Sequence, residues 1–324
     1  MKKRLIRAVL FVILCAVITA GLNFVFIPNS VARANLRRVS TKTYDDFFIG
    51  SSHGHSDVDP LVVDSVTGRS STNACMPSEY LIDSYYILKL ACESGHKPKR
   101  VIYEWDPPYW MTEDMAGNNP DSFYLRFPEG ETKLKYFFAK IISMKWYVVT
   151  NPWSEYRNLF RDIPKTVRIK CGEDYKNYGT ADLDTDVKQY RPEGFAYYAH
   201  GTEWDSISNV LTFDREKVGG KPQQLFQRLS DYCRSEGIEL AVVELPVPAE
   251  TVEMHREAFA DARAYFTEIA KEYGISFRDF NSLPEEETGK GIDAGVSNFR
   301  DYDGHMSGEL AEQFSKILGE YLKE

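Results

Sequence analysis

The chain opens on an uncharged apolar stretch, Ala8 to Ile27, preceded by Lys2, Lys3, Arg4 and Arg7. The stretch has no polar face, so it reads as a membrane-spanning helix rather than a buried helix of a soluble protein. The basic flank stays cytoplasmic and the rest of the chain is exported, which predicts a single-pass cell-membrane protein with an extracytoplasmic C-terminal domain. Ala32 and Ala34 in "VARAN" offer a cleavage alternative. An uncleaved anchor is favoured, because cleavable signal cores run to about 7–15 residues. Leu14 before Cys15 stands where a lipobox wants a small residue. The expected organisation is a cytoplasmic stub and anchor over 1–27, a polar linker over 28–43 and a folded domain over 44–324.

Beyond the linker, apolar strand patterns alternate with amphipathic helices. "YDDFFIG" reads as a strand ending at Gly50. "PSEYLIDSYYILKLACESG" follows as a helix, with Leu81, Tyr85, Leu88 and Cys92 on one face and Gly95 as the stop. "RVIYEWDPP" is a strand broken by Pro107, and "QQLFQRLSDYCRSEG" is a helix. "IELAVVELPVP" is a buried strand, "EMHREAFADARAYFTEIAKEYG" a helix, "ISFRDF" a strand and "SGELAEQFSKILGEYLKE" the last helix. This alternation predicts an α/β fold, a parallel sheet between two helical layers in a three-layer α/β/α sandwich. From about 111 to 220 the pattern gives way to aromatics among Pro, Gly and Asp, including Trp146, Trp153, Tyr190, Tyr197 and Trp204. This reads as a long insertion, whose aromatics serve core packing more often than they serve as platforms for sugar rings.

Charge and cysteine content remove several classes. With 39 basic and 48 acidic residues and a net charge of −9, there is no overall electrostatic attraction for nucleic acid or for an anionic membrane surface. The cysteines are widely spaced without a C-x-x-C pair, so neither a zinc site nor a disulfide scaffold is indicated.

The chemistry concentrates at the end of the first strand. Gly50-Ser51-Ser52-His53-Gly54 fits G-x-S-x-G, a sharp strand-to-helix turn that raises a serine hydroxyl above the sheet edge. In α/β-hydrolases that turn follows several strands; here it follows the first strand of the exported domain. A nucleophilic serine needs a base and the base an orienting group. "FRDYDGHMSGEL" supplies His305 directly before the final helix, with Asp301 and Asp303 upstream and Ser307 placed to cap that helix. Loops at the carboxyl ends of parallel strands share one crevice, so Ser52 and His305 are expected to meet.

These blocks resemble the SGNH, or GDSL-like, hydrolase superfamily, from about Thr43 to the C-terminus with the insertion between. The anchored layout with "FFIGSSH", "NACMPSEYLIDSYYILKL" and "DGHMS" is similar to the exported branch that includes teichoic-acid D-alanyl transfer proteins and polysaccharide O-acetylation proteins. The resemblance implies a flavodoxin-like parallel sheet and no metal or organic cofactor, with Ser52 as nucleophile, His305 as general base and Asp303, or else Asp301, as its orienter. Asp303 comes first because a D-x-H pairing occurs in the exported relatives; the family's usual acid position is Tyr302 here. It further implies a cell-surface polysaccharide or teichoic-acid-like polymer as substrate and a membrane-bound O-acyltransferase as partner. The family's oxyanion hole uses the serine amide, a glycine amide and an asparagine; Asn73 is the available asparagine, and Cys75 stands where the glycine is expected.

The remaining candidates have milder readings. His53 and His55 alternate like a metal pair but lack a third ligand, so loop or substrate contact is the expectation. Glu104 and Asp106 suggest either a glycosidase pair or, with Glu244, a crevice rim that binds hydroxyls. Ser51 is expected beside the oxyanion site or as a helix cap. The rival to an enzyme is a catalytically weak glycan- or carrier-binding partner of a membrane O-acyltransferase.

Overall fold

Asp46, Phe47, Phe48 and Ile49 form a strand in which all four residues are buried, as a central parallel strand requires. The computed structural model describes residues 2–78, 80–111, 130–143, 150–199, 206–281 and 292–323. In chain order the strands are β1 (Asp46–Ile49), β2 (Ser71–Asn73), β3 (Arg100–Glu104), β4 (Lys188–Tyr190), β5 (Ala196–Tyr198), β6 (Glu239–Glu244) and β7 (Ser276–Asp279). Those of the main sheet run β2-β1-β3-β6-β7, every pairing parallel. β4 and β5 form a separate antiparallel hairpin within the insertion.

The principal helices are α1 (Lys2–Phe26), α2 (Val31–Val39), α3 (Ser52–Asp57), α4 (Pro60–Thr67), α5 (Leu81–Glu93), α6 (Gly130–Ser143), α7 (Ile163–Cys171), α8 (Gly220–Glu236), α9 (Arg256–Tyr273) and α10 (Gly308–Lys323). Alternate strand residues feed different apolar clusters, because successive side chains leave opposite faces of a sheet. Phe47, Ile49, Val101, Tyr103 and Val242 pack with Leu88 of α5, Phe226 of α8 and Phe266 of α9. Phe48, Ile102 and Val243 pack with Val63 of α4 and with Phe314 and Leu318 of α10. At the amino ends of the strands, buried Asp46 accepts two hydrogen bonds from Arg100, at 3.0 and 2.9 Å, and pairs with Arg69 at 2.8 Å.

The stretch 28–43 differs from the expected linker. Within it α2 buries Val31, Ala32, Asn35, Leu36 and Val39, with Ser30 accepting a hydrogen bond from the Ala32 amide as its cap. The polar residues that suggested a linker are in part structural: Arg38 Nε donates to Thr72 Oγ1 at 2.7 Å and its Nη2 to the Asn73 carbonyl at 2.9 Å. α1 is exposed through its first half, including Leu10 and Phe11, and is long and apolar enough to cross a membrane. The "EMHREAF…" helix is interrupted at His255. Trp146 and Trp204 lie outside the described residues; Trp110 is core, and Trp153 packs on Phe26 of α1.

Candidate active site

The chain leaves β1 through Gly50, whose φ is +152°. A Cβ there would lie 2.5 Å from Glu104 Oε2 and 2.7 Å from Glu104 Cβ, so only glycine lets the turn pass β3 this closely. Ser51 then caps α3: its hydroxyl accepts from the His53 amide at 3.3 Å and donates to Asp106 Oδ2 at 3.2 Å, while its amide donates to Glu104 Oε2 at 2.6 Å. With Ser51 fixed by both acids, Ser52 becomes the first residue of α3. Its amide heads the helix, where N–H groups lack intrahelical acceptors. β1 and β3 are neighbours, and the chain's path from β2 to β3 crosses β1, so this turn stands at the switch point where open parallel sheets form their crevice.

The second half of the site comes from the loop before α10. Asp301 folds under that loop, its Oδ1 accepting the amides of Gly304 at 3.0 Å and His305 at 3.1 Å. Gly304 permits the tight path with φ +122°, and a Cβ there would strike Val247 at 2.6 Å. Asp301 Oδ2 thereby lies 2.7 Å from His305 Nδ1, and His305 Nε2 lies 2.8 Å from Ser52 Oγ. Residues 253 positions apart in the chain are thus linked, and Ser52, His305 and Asp301 lie in one hydrogen-bonded series. The first-choice orienter, Asp303, is corrected by this geometry: Asp301 holds the imidazole, and Asp303 lines the cavity. Ser307 caps α10 as expected, accepting from the Leu310 amide at 3.3 Å.

The surroundings set the protonation of this series. Burial pushes the Asp301 carboxyl up, but the hydrogen bonds and charge of His305 outweigh it and bring it down to about 2. His305 is lowered from its ordinary value by burial and by the neighbouring charge of His53, whose ring centroid is 4.5 Å away. Neutral His305, with Nδ1–H donating to Asp301, leaves Nε2 to accept the Ser52 hydroxyl proton.

His53 belongs to a different group. Burial alone would lower it, yet the charge and hydrogen bond of Asp106, 3.3 Å from Nδ1, raise it to about 10. Glu104 is raised to about 7 by burial and the charge of Asp106, and Glu244 is raised by burial and the charge of Asp279. Glu244 Oε2 has no hydrogen-bond partner among the described residues. His53, Glu104 and Asp106 bring donor atoms within 4.8 Å of one another, a spacing that a divalent ion can span once His53 gives up its Nδ1 proton. His55 is not part of that group: it is buried and packs on Tyr190 with centroids 5.6 Å apart. Glu104 and Asp106, the pair that suggested a glycosidase, are both bonded to Ser51 and each brings an oxygen within 4.8 Å of the other.

Asn73 does not supply the expected oxyanion donor. Its Nδ2 donates to the carbonyls of Gly54 at 2.6 Å and Val58 at 2.9 Å, and its Oδ1 accepts the Cys75 amide at 3.0 Å. The side chain is wholly buried and clamps α3 to β2 instead. Cys75 packs its sulfur against Gly54, where a Cβ would come within 2.5 Å.

Sequence reasoning also missed Asp57, at the end of α3. It is wholly buried, and its Oδ1 accepts the Met306 amide at 2.9 Å and the Ser56 hydroxyl at 2.6 Å. This joins the element carrying Ser52 to the loop carrying His305. No local motif marks it, because its partner is a backbone group 249 residues away.

Ser52, His305, His53, Glu104, Asp106 and Glu244 line one cavity of about 250 Å³, together with Leu211, Phe213 and Phe259. The end of the insertion therefore lines the same cavity as Ser52 and His305 and makes part of it apolar. No protein-family model matches the chain, and no curated protein sequence matches it.

Proposed function

We propose that this chain is a membrane-anchored, extracytoplasmic serine esterase or O-acyltransferase of the SGNH type, acting on acyl esters of a cell-surface glycopolymer. The observation that carries the reading is the Ser52–His305–Asp301 relay at 2.8 and 2.7 Å. Support for the α/β/α sandwich comes from the strand order β2-β1-β3-β6-β7 and from the two apolar clusters fed by alternate strand residues. Support for an uncleaved anchor comes from Ala32, buried inside α2 rather than presented on an extended cleavage segment.

In the proposed reaction Ser52 Oγ attacks the acyl carbonyl while His305 Nε2 takes the hydroxyl proton. Asp301 holds the imidazole and stabilises the imidazolium, and the Ser52 amide at the head of α3 faces the developing oxyanion. His305 returns the proton to the departing alcohol, leaving an acyl-serine. Water or a sugar hydroxyl then attacks this intermediate with His305 again as base. Glu104, Asp106 and Glu244 form the polar wall of the cavity and offer acceptors to donor groups of the substrate.

Turnover of p-nitrophenyl acetate by the full-length protein tests this reading. Hydrolysis lost in Ser52→Ala supports it; hydrolysis unchanged in that variant excludes Ser52 as the nucleophile. A second reading, a weakly catalytic binding partner of a membrane O-acyltransferase, is favoured by the engagement of Asn73 in the α3–β2 clamp. Loss of one oxyanion donor typically costs about 100- to 1,000-fold in rate.

A further inference from the structure

α1 is 25 residues long. At about 1.5 Å per residue that is about 37 Å, against about 30 Å of bilayer hydrocarbon. The uncharged stretch runs to Ile27, so Leu22 to Phe26 occupy the outer boundary of the span. These residues are not bare: Leu22, Asn23, Val25 and Phe26 are partly covered. The cover comes from the insertion. Trp153 donates its amide to Asn23 Oδ1 at 3.3 Å, and its ring meets Phe26 with centroids 5.9 Å apart. Lys170 Nζ donates to the Phe24 carbonyl at 2.9 Å, ending the helix on a cation. Whatever packs against the last turns of a membrane span lies at the depth of the lipid headgroups.

The surface this segment turns outward suits that depth. Between Pro152 and Cys171 the basic residues are Arg157, Arg161, Lys165, Arg168 and Lys170, and the acidic ones Glu155 and Asp162. The segment is thus locally positive in a chain of net charge −9. Arg157, Arg161, Lys165 and Arg168 are exposed, and Phe160 among them is 58% exposed. Cations at phosphate level with an exposed aromatic ring among them are the composition of a membrane-surface element.

We propose that residues 152–171 form a juxtamembrane collar that seats the catalytic domain on anionic phospholipid, with Phe160 entering the headgroup region and the four exposed basic side chains contacting lipid phosphates. This rests on reading α1 as an uncleaved anchor. The collar adds a second attachment beside α1 and so restricts how the domain turns over the bilayer.

The test places a bimane probe at single positions of the full-length protein in nanodiscs containing doxyl-labelled phosphatidylcholine and phosphatidylglycerol. Cys15, Cys92 and Cys171 are replaced by serine. Probes go at Val12→Cys in α1, at Phe160→Cys, and at Lys271→Cys on α9, beside the sheet edge opposite the one that α2 contacts. The expected result is strong quenching at 12, quenching at 160 at least two-fold above that at 271, and loss of the excess at 160 when Arg157, Arg161, Lys165 and Arg168 are changed to Gln with the melting temperature unchanged. Quenching at 12 with none above the 271 level at 160 overturns the collar and leaves the anchor standing. Absence of quenching at 12 overturns the anchor and the collar together, while Ser52 chemistry is read separately by ester hydrolysis. Excess quenching at 160 that survives the four Gln substitutions overturns the phosphate contacts.

Discussion

The Asp57 carboxyl and the Met306 backbone amide meet at 2.9 Å, a bond that ties the end of α3 to the loop that carries His305. Ser52 sits at the other end of α3, which is less than two turns long, so the spacing of nucleophile and base depends on it. Burial raises the Asp57 carboxyl to about 8. Asp57→Asn keeps an acceptor for the Met306 amide and removes the titrating proton, and esterase activity should stay within about ten-fold of wild type. Asp57→Ala leaves that amide unpaired and should cost about 1–3 kcal/mol of stability, with a larger fall in kcat. The sign of the pH effect follows from the raised value: the folded protein holds this proton more tightly than the unfolded chain. Stability from this group is present below about pH 4 and declines as pH rises toward 8. Thermal melts of wild type and Asp57→Asn between pH 5 and 9 should therefore diverge with rising pH, the variant losing less.

Asp301 and Asp303 can be told apart by their amide variants. Asp301→Asn leaves the loop's hydrogen bonds to Oδ1 available but presents the wrong partner to His305 Nδ1, and kcat should drop by about 10⁴, the magnitude known for this change in a serine protease. Asp303→Asn should stay within about ten-fold, since of these two carboxylates it is Asp301 that bonds the imidazole. Similar losses in both variants would remove the assignment.

The protonated ring of His53 beside His305 gives a pH signature. His305 must be neutral to accept the serine proton, so kcat/KM should rise with pH on a limb centred below the ordinary imidazole value of about 6.5. His53→Gln removes the neighbouring cation and leaves Asp106 unneutralised. Both effects favour protonated His305, so the limb should move to higher pH. A limb that stays in place would contradict the charge coupling.

Gly50→Ala tests the turn. The added methyl would sit 2.5 Å from Glu104 Oε2 at a φ of +152°. We expect a loss of about 1–3 kcal/mol, measured by urea unfolding, with serine reactivity reduced further because Ser51 and Ser52 shift together.

Ser52 and His305 were legible because their chemistry is carried by short motifs at the end of the first strand and before the last helix. Most of the sheet was legible too, since "FFI", "RVIYE" and "LAVVE" are short β-branched and aromatic runs bounded by turn residues, as buried strands are. What the sequence concealed lies in three-dimensional side-chain direction. Asp301 precedes His305 by four residues and reaches its Nδ1 only because its other oxygen gathers the Gly304 and His305 amides into a turn; the resemblance to exported relatives with a D-x-H pairing favoured Asp303. Asn73 stood at the right strand end, but its amide is consumed by the Gly54 and Val58 carbonyls. Residues 28–43 looked like a linker because α2 buries its narrow face against distant parts of the chain, as Arg38 does against Thr72.

The central claim is that Ser52 is an activated nucleophile. Full-length protein treated with a fluorophosphonate probe and digested for mass spectrometry tests it most directly. One modified peptide carrying the probe on Ser52 is expected, with labelling abolished in Ser52→Ala and strongly slowed in His305→Ala. Labelling that persists in Ser52→Ala, or that leaves Ser52 unmodified in folded protein, would contradict it.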